Sequence, residues 1–137
     1  MQTLTELRNR AFVKQALAIL SRHMRAGERI TRRQLVEKAL ASRPPSYFIN
    51  QDQVSIVLSA IDRMPDFKPA SERHAMWLEI RNRVRNLMEG PRKLRRHEAV
   101  SFVLNFTQPS RYFISHKTAD RLIGSAVRTN RYAVAAH

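Results

Sequence analysis

Pro44-Pro45-Ser46-Tyr47-Phe48-Ile49-Asn50 returns 65 residues later as Pro109-Ser110-Arg111-Tyr112-Phe113-Ile114-Ser115, and a helical pattern follows each copy, closing on Arg63 or on Arg128. An internal repeat means that one supersecondary unit has been used twice. Upstream of each copy the same landmarks recur: a glycine, Gly27 or Gly90, then an arginine pair, Arg32-Arg33 or Arg95-Arg96. Each unit therefore reads as helix, glycine turn, helix, Pro-containing extended link, helix. Residues 1–64 make the first three-helix unit, 65–70 a Pro-containing link, and 71–137 the second, and the two can pack as one compact domain.

Apolar residues recur at intervals of three and four rather than two, so the fold class is all-α with about six helices. The first helix is expected from about Thr5 to Ala26, with Thr3 and Glu6 spaced as a capping box and Gly27 as its stop. Its inward stripe is Val13, Leu17, Leu20 and Met24. Measured back from Gly90, the matching stripe of the fourth helix is Met76, Ile80 and Leu87, with Trp77 as a core anchor. Thr31 with Gln34, and Asn50 with Gln53, start the second and third helices. The third buries Val54, Val57, Leu58 and Ile61, and the last, His116 to Arg128, buries Ala119, Leu122, Ile123 and Ala126. In the repeated triplet, Phe48 and Phe113 are expected to plug the gaps between helices and Ile49 and Ile114 to staple helix starts. Tyr47 and Tyr112 are expected to pack their rings while offering the hydroxyl to a phosphate or to backbone, with base stacking as the alternative.

A chain of 137 residues with 43% hydrophobic and 26% charged residues has the means to form a packed core. Its net charge of +14 comes from 20 Arg and five Lys against 11 Asp and Glu, and guanidinium suits phosphate better than ammonium does. Nucleic acid is the first expected partner, DNA ahead of RNA, and an acidic protein docked by a helical adaptor is the alternative. A homodimer is a further option, because Gly124-Ser125 and Ser59-Ala60 leave smooth patches where a helix or backbone can approach.

The candidate phosphate contacts fall into three groups. Arg29, Arg32 and Arg33 surround the Gly27 turn; Arg81, Arg85, Arg92, Lys93, Arg95 and Arg96 surround Gly90 and form the densest cluster. Lys117, Arg121 and Arg128 lie close to one face of the last helix, since eleven residues make almost three turns, and His116 opens it. The equivalent positions of the third helix are Asp52, Ile56 and Arg63, so the two helices are not electrostatic equals. Three helices with the last one basic resemble, in architecture, a helix-turn-helix. The link from Ser42 to Ile49, however, is longer than that motif's turn and has no glycine.

Zero cysteines exclude a disulfide framework, a zinc-thiolate site and a thiol nucleophile. The histidines at 23, 74, 97, 116 and 137 contain no His-x-x-x-His pair, and three glycines form no phosphate-cradling loop. No cofactor, no metal and no enzymatic activity are expected. The first ten residues carry Glu6, Arg8 and Arg10, unlike a secretory signal, and no apolar run is long enough to span a bilayer. A non-membrane, cytoplasmic protein is the expectation.

Overall fold

The computed structural model describes residues 2–64 and 66–135, with side chains through residue 129. Pro65 of the expected link and His137 lie outside them. The described residues form six α-helices and no strand: α1 (Leu4–Arg25), α2 (Arg32–Ala41), α3 (Gln51–Asp62), α4 (Glu72–Glu89), α5 (Arg96–Phe106) and α6 (His116–Ala135). No helix among them is long and apolar enough to cross a membrane.

The chain starts its helices where capping chemistry allows. The Thr3 hydroxyl accepts the Glu6 N–H at 3.1 Å and the Glu6 carboxylate accepts the Thr3 N–H at 3.2 Å. Thr31 and Gln34 repeat this arrangement at α2. Asn50 caps α3 by accepting the N–H of Asp52 at 2.9 Å. At the end of α1, Gly27 adopts φ 70° while its N–H reaches Met24 O and the Glu28 N–H reaches His23 O, closing the helix as a Schellman turn.

Gly90 is not the counterpart its position suggested. It is extended, and the positive φ in its turn belongs to Lys93, at 44°. The stripe of α1 is Phe12, Ala16 and Ile19, one position from the expected one: Val13, Leu17 and Leu20 are half-buried and Met24 is 70% exposed. The second helix of each unit keeps register, with Leu35, Val36 and Ala39 buried in α2 and Ala99, Val100 and Val103 buried in α5, 64 positions on.

The six helices do form two three-helix units, but not the consecutive stretches 1–64 and 71–137. One unit is 1–44 with 110–137, so α1, α2 and α6 pack together. The other is 45–109, containing α3, α4 and α5. Each third helix thus completes the unit opposite to the one its sequence repeat implies. The links explain how: Ser42 to Asn50 and Thr107 to Ser115 are irregular, proline-bearing segments that carry the chain from one unit to the other. The chain changes unit between Pro44 and Pro45 and returns between Pro109 and Ser110, inside the two repeated segments.

The tyrosines, not the phenylalanines, anchor these segments. Tyr112 is 2% exposed and meets Phe12 edge to face at 5.3 Å, while its N–H donates to Leu40 O at 3.0 Å. In extended backbone alternate residues share a face, so Ile114 is buried with Tyr112 and Phe113 turns outward, under the Arg111 guanidinium at 4.4 Å. Tyr47 is buried too, but Phe48, at φ 54°, breaks the alternation and leaves both itself and Ile49 half-buried. The Tyr47 hydroxyl donates to Glu79 at 2.9 Å and accepts from Arg83 at 2.9 Å; Arg83 also donates to Gln108 O at 2.6 Å. One copy of the repeat is therefore pinned by an aromatic pair, the other by a polar network. Around them are buried Ala119 and Ile123 in the first unit, and Val54, Leu58, Ile61, Met76, Trp77, Ile80 and Val84 in the second.

Burial, reinforced by the Glu79 carboxylate, raises the Tyr47 phenol above its ordinary 10.0 despite the opposing Arg83, and burial alone raises Tyr112. Both phenols ionise more readily unfolded than folded, so stability present below pH 10 is lost as pH rises beyond it. Tyr47→Phe should cost about 1–2 kcal/mol at neutral pH by removing the hydroxyl that joins Glu79 to Arg83. The same change should flatten the alkaline loss, both effects being read by urea unfolding from pH 7 to 11.

Candidate nucleic-acid interface

The α6 helix buries Ala119 and Ile123 and turns Lys117, Arg121 and Arg128 outward. Its first turn is held by Ser115, whose hydroxyl accepts the Thr118 N–H at 3.2 Å, and His116 is exposed beside it. A fourth cation reaches this helix from α2. Arg32, the first residue of α2, sends its Nε to Asp120 Oδ1 at 2.9 Å and its Nη2 to the backbone oxygen of Asp120 at 2.8 Å.

Arg32 can do this because residue 124 is glycine. A Cβ there would overlap the Arg32 guanidinium, coming within 2.6 Å of its Cζ. Gly124 is a seat for an arginine side chain, a close approach of a kind different from the helix or backbone contact its size suggested. One turn further on, the Arg128 Nε donates to Gly124 O at 3.3 Å. Arg32 and Arg128 are thereby tied to backbone oxygens four residues apart on one helix, with Arg121 between them in sequence. The Asp120 carboxylate also offsets the unfavourable placing of a cation at a helix N-terminus.

Arg29 and Arg33 complete the corner. Arg29 is exposed between α1 and α2, and Arg33, its side chain 88% exposed, touches Glu37 at 3.4 Å. Counted along the sequence, this unit holds 15 Lys and Arg but only four Asp and Glu. Each of those four is already engaged: Glu6 caps α1, Glu28 meets His23, Glu37 meets Arg33 and Asp120 meets Arg32. Among the described residues no carboxylate lies within ion-pair distance of Arg29, Lys117, Arg121 or Arg128.

The other unit has ten Lys and Arg against seven Asp and Glu. Its arginine run, the densest in the sequence, is dispersed by the fold. Arg85 and Arg96 each approach Asp62 at 3.5 Å, and Arg81 is half-buried on α4. Arg92, Lys93 and Arg95 are exposed at the turn before α5, where Arg95 is the residue preceding the helix and its N–H donates to Glu98. A guanidinium has no acceptor, so Arg95 cannot cap that helix through its side chain.

The thirteen residues proposed from sequence therefore separate by unit. Arg29, Arg32, Arg33, His116, Lys117, Arg121 and Arg128 belong to one; Arg81, Arg85, Arg92, Lys93, Arg95 and Arg96 belong to the other. Sequence reasoning assigned the α2 corner and the α6 face to different halves, and folding places both in one. No group of three or more His, Asp or Glu suited to a metal ion occurs among the described residues.

No family model, curated protein or solved structure matches the chain.

Gly124→Ala separates the fold from the face. Alanine is favoured over glycine inside a helix by about 1 kcal/mol, and the side chain it displaces is the flexible end of Arg32. The expected outcome is an unchanged or raised Tm together with loss of the Arg32–Asp120 pair, detected as a shift of the Arg32 Nε–Hε resonance.

Proposed function

We propose that the chain binds nucleic acid without catalysis, duplex DNA ahead of RNA, through the outer face of α6 and the arginine corner of α2. The observation that carries this reading is the row of Lys117, Arg121 and Arg128, extended by Arg32 over Gly124, in a unit whose four acids are all engaged, Asp120 by Arg32 itself. Like charges at this density repel one another unless an anion neutralises them. Lys117 to Arg128 covers about 16 Å of helix, a length over which several phosphates of a duplex are within reach.

A single exposed helix is also the element that the major groove admits. In this unit α6 is backed by α1 and α2, so the arrangement parallels a helix-turn-helix, with the last helix delivered by a long crossover rather than a tight turn. Phosphate contacts from Arg29, Arg32 and Arg33 would set the register, and His116, Lys117, Asp120 and Arg121 would read bases. On this reading the protein works in the cytoplasm, and a two-fold dimer would offer two α6 faces to one duplex.

Fluorescence anisotropy with labelled single- and double-stranded DNA and RNA across a salt series tests the proposal. Neutralising four phosphates predicts a log–log salt slope of roughly −4, and Lys117→Ala with Arg121→Ala should reduce its magnitude by about two. Asp120→Asn should tighten binding by removing a charge that repels phosphate. Selective binding of an acidic protein, with all four nucleic acids ignored at low salt, would replace this reading with that of a helical adaptor.

A further inference from the structure

The unit formed by α3, α4 and α5 contains a cavity of about 320 Å³ whose wall carries three guanidiniums. Arg81 and Arg85 lie one turn apart on α4, and Arg96 opens α5. Among the described residues only one carboxylate is within ion-pair distance of any of them. Asp62, at the end of α3, approaches Arg85 and Arg96 at 3.5 Å each, well beyond the 2.7–2.9 Å usual for a charge-assisted contact. Arg81 has no such partner, and its Nε is buried without a hydrogen bond among the described residues.

A buried donor left unpaired is costly, and three like charges around one cavity add repulsion. Even with Glu89 counted, the wall holds three positive groups against two negative. The wall is suited to an anion. Its floor is of another character: Leu58 and Val84 are buried, and Met88 lies alongside. The volume exceeds what an inorganic phosphate needs and falls at the lower end of the range for small-molecule pockets. A ligand matching both parts has a phosphate at one end and a compact planar or apolar body at the other. Guanidinium planes stack on flat rings as readily as they fork onto phosphate.

We propose that this cavity binds a small organic phosphate of nucleoside monophosphate size, its phosphate held by Arg81, Arg85 and Arg96 and its body resting on Leu58 and Val84. Asp62 occupies part of the phosphate position in the unliganded protein and is displaced on binding. The site uses none of the residues of the α6 face, so it stands or falls separately from the nucleic-acid reading.

The test is titration of the full-length protein with adenosine 5′-monophosphate, adenosine and inorganic phosphate, followed by the arginine Nε–Hε and backbone amide resonances. Adenosine 5′-monophosphate should shift the Arg81, Arg85 and Arg96 signals and bind more tightly than inorganic phosphate, and adenosine should leave them in place. Arg81→Met, which keeps the apolar stem, should weaken binding by at least about tenfold, the loss of one charge-assisted contact. Asp62→Asn should do the opposite and tighten it, so a mere loss of folding cannot imitate the pattern; far-UV circular dichroism of both variants confirms the fold. The proposal is overturned if adenosine binds as well as its phosphate, if inorganic phosphate binds as tightly as the nucleotide, or if the shifts fall only on α6. Absence of any shift at millimolar ligand would overturn it as well.

Discussion

Seating Tyr112 in the first unit is the contact on which the arrangement of helices rests. Its N–H is taken by the carbonyl of Leu40 at the end of α2, and its ring closes edge-on against Phe12 of α1. An edge-to-face pair contributes about 0.5–1.5 kcal/mol beyond the burial of its rings. Its larger consequence is directional. Once Tyr112 is fixed between α1 and α2, α6 begins four residues later and must lay its apolar stripe on those two helices. The exchange of third helices, the basic face of α6 beside the α2 arginines and the Arg32 seat on Gly124 all follow from it.

The polar counterpart at Tyr47 shows how a duplicated unit can hold the same geometry by other means. Among the described residues Phe12 has no aromatic equivalent facing Tyr47; Glu79 and Arg83 take hold of the phenol, and Arg83 continues to the backbone of Gln108. This half-buried ion pair is reinforced by the hydroxyl between its members and by the Gln108 carbonyl. A hydrophobic pair tolerates small shifts of packing, whereas a network of this kind fixes its members in place.

Much of the local structure was legible in the sequence because local chemistry determines it. Thr3-x-x-Glu6 and Thr31-x-x-Gln34 are capping boxes in any context, and the stripes of α3 and α6 follow from the helical period. The α1 stripe was misread by one position, Val13, Leu17 and Leu20 in place of Phe12, Ala16 and Ile19, because both sets have helical spacing; Gly27 and Gly90 were also treated as equivalent turns, although only Gly27 has a left-handed conformation. The third-helix exchange was not legible at all. A duplicated sequence gives two equivalent three-helix units whether each third helix packs on its own unit or on the other, since the apolar stripes are interchangeable. The deciding quantity is the path of the extended links, and proline spacing alone does not specify it. That ambiguity also hid the grouping of Arg29, Arg32 and Arg33 with Lys117, Arg121 and Arg128, while the density of arginines around Gly90 drew weight to a region where Asp62 offsets part of the charge.

The most direct test of the helix exchange is a NOESY spectrum of the intact protein with assigned aromatic side chains. The structure predicts strong cross-peaks between the rings of Tyr112 and Phe12, whose centroids are 5.3 Å apart, and between the Tyr112 amide and Leu40. Cross-peaks from Tyr112 to Met76 and Ile80 in their place would show that α6 packs on α4 and α5, and would contradict both the exchanged fold and the composite basic face built on it.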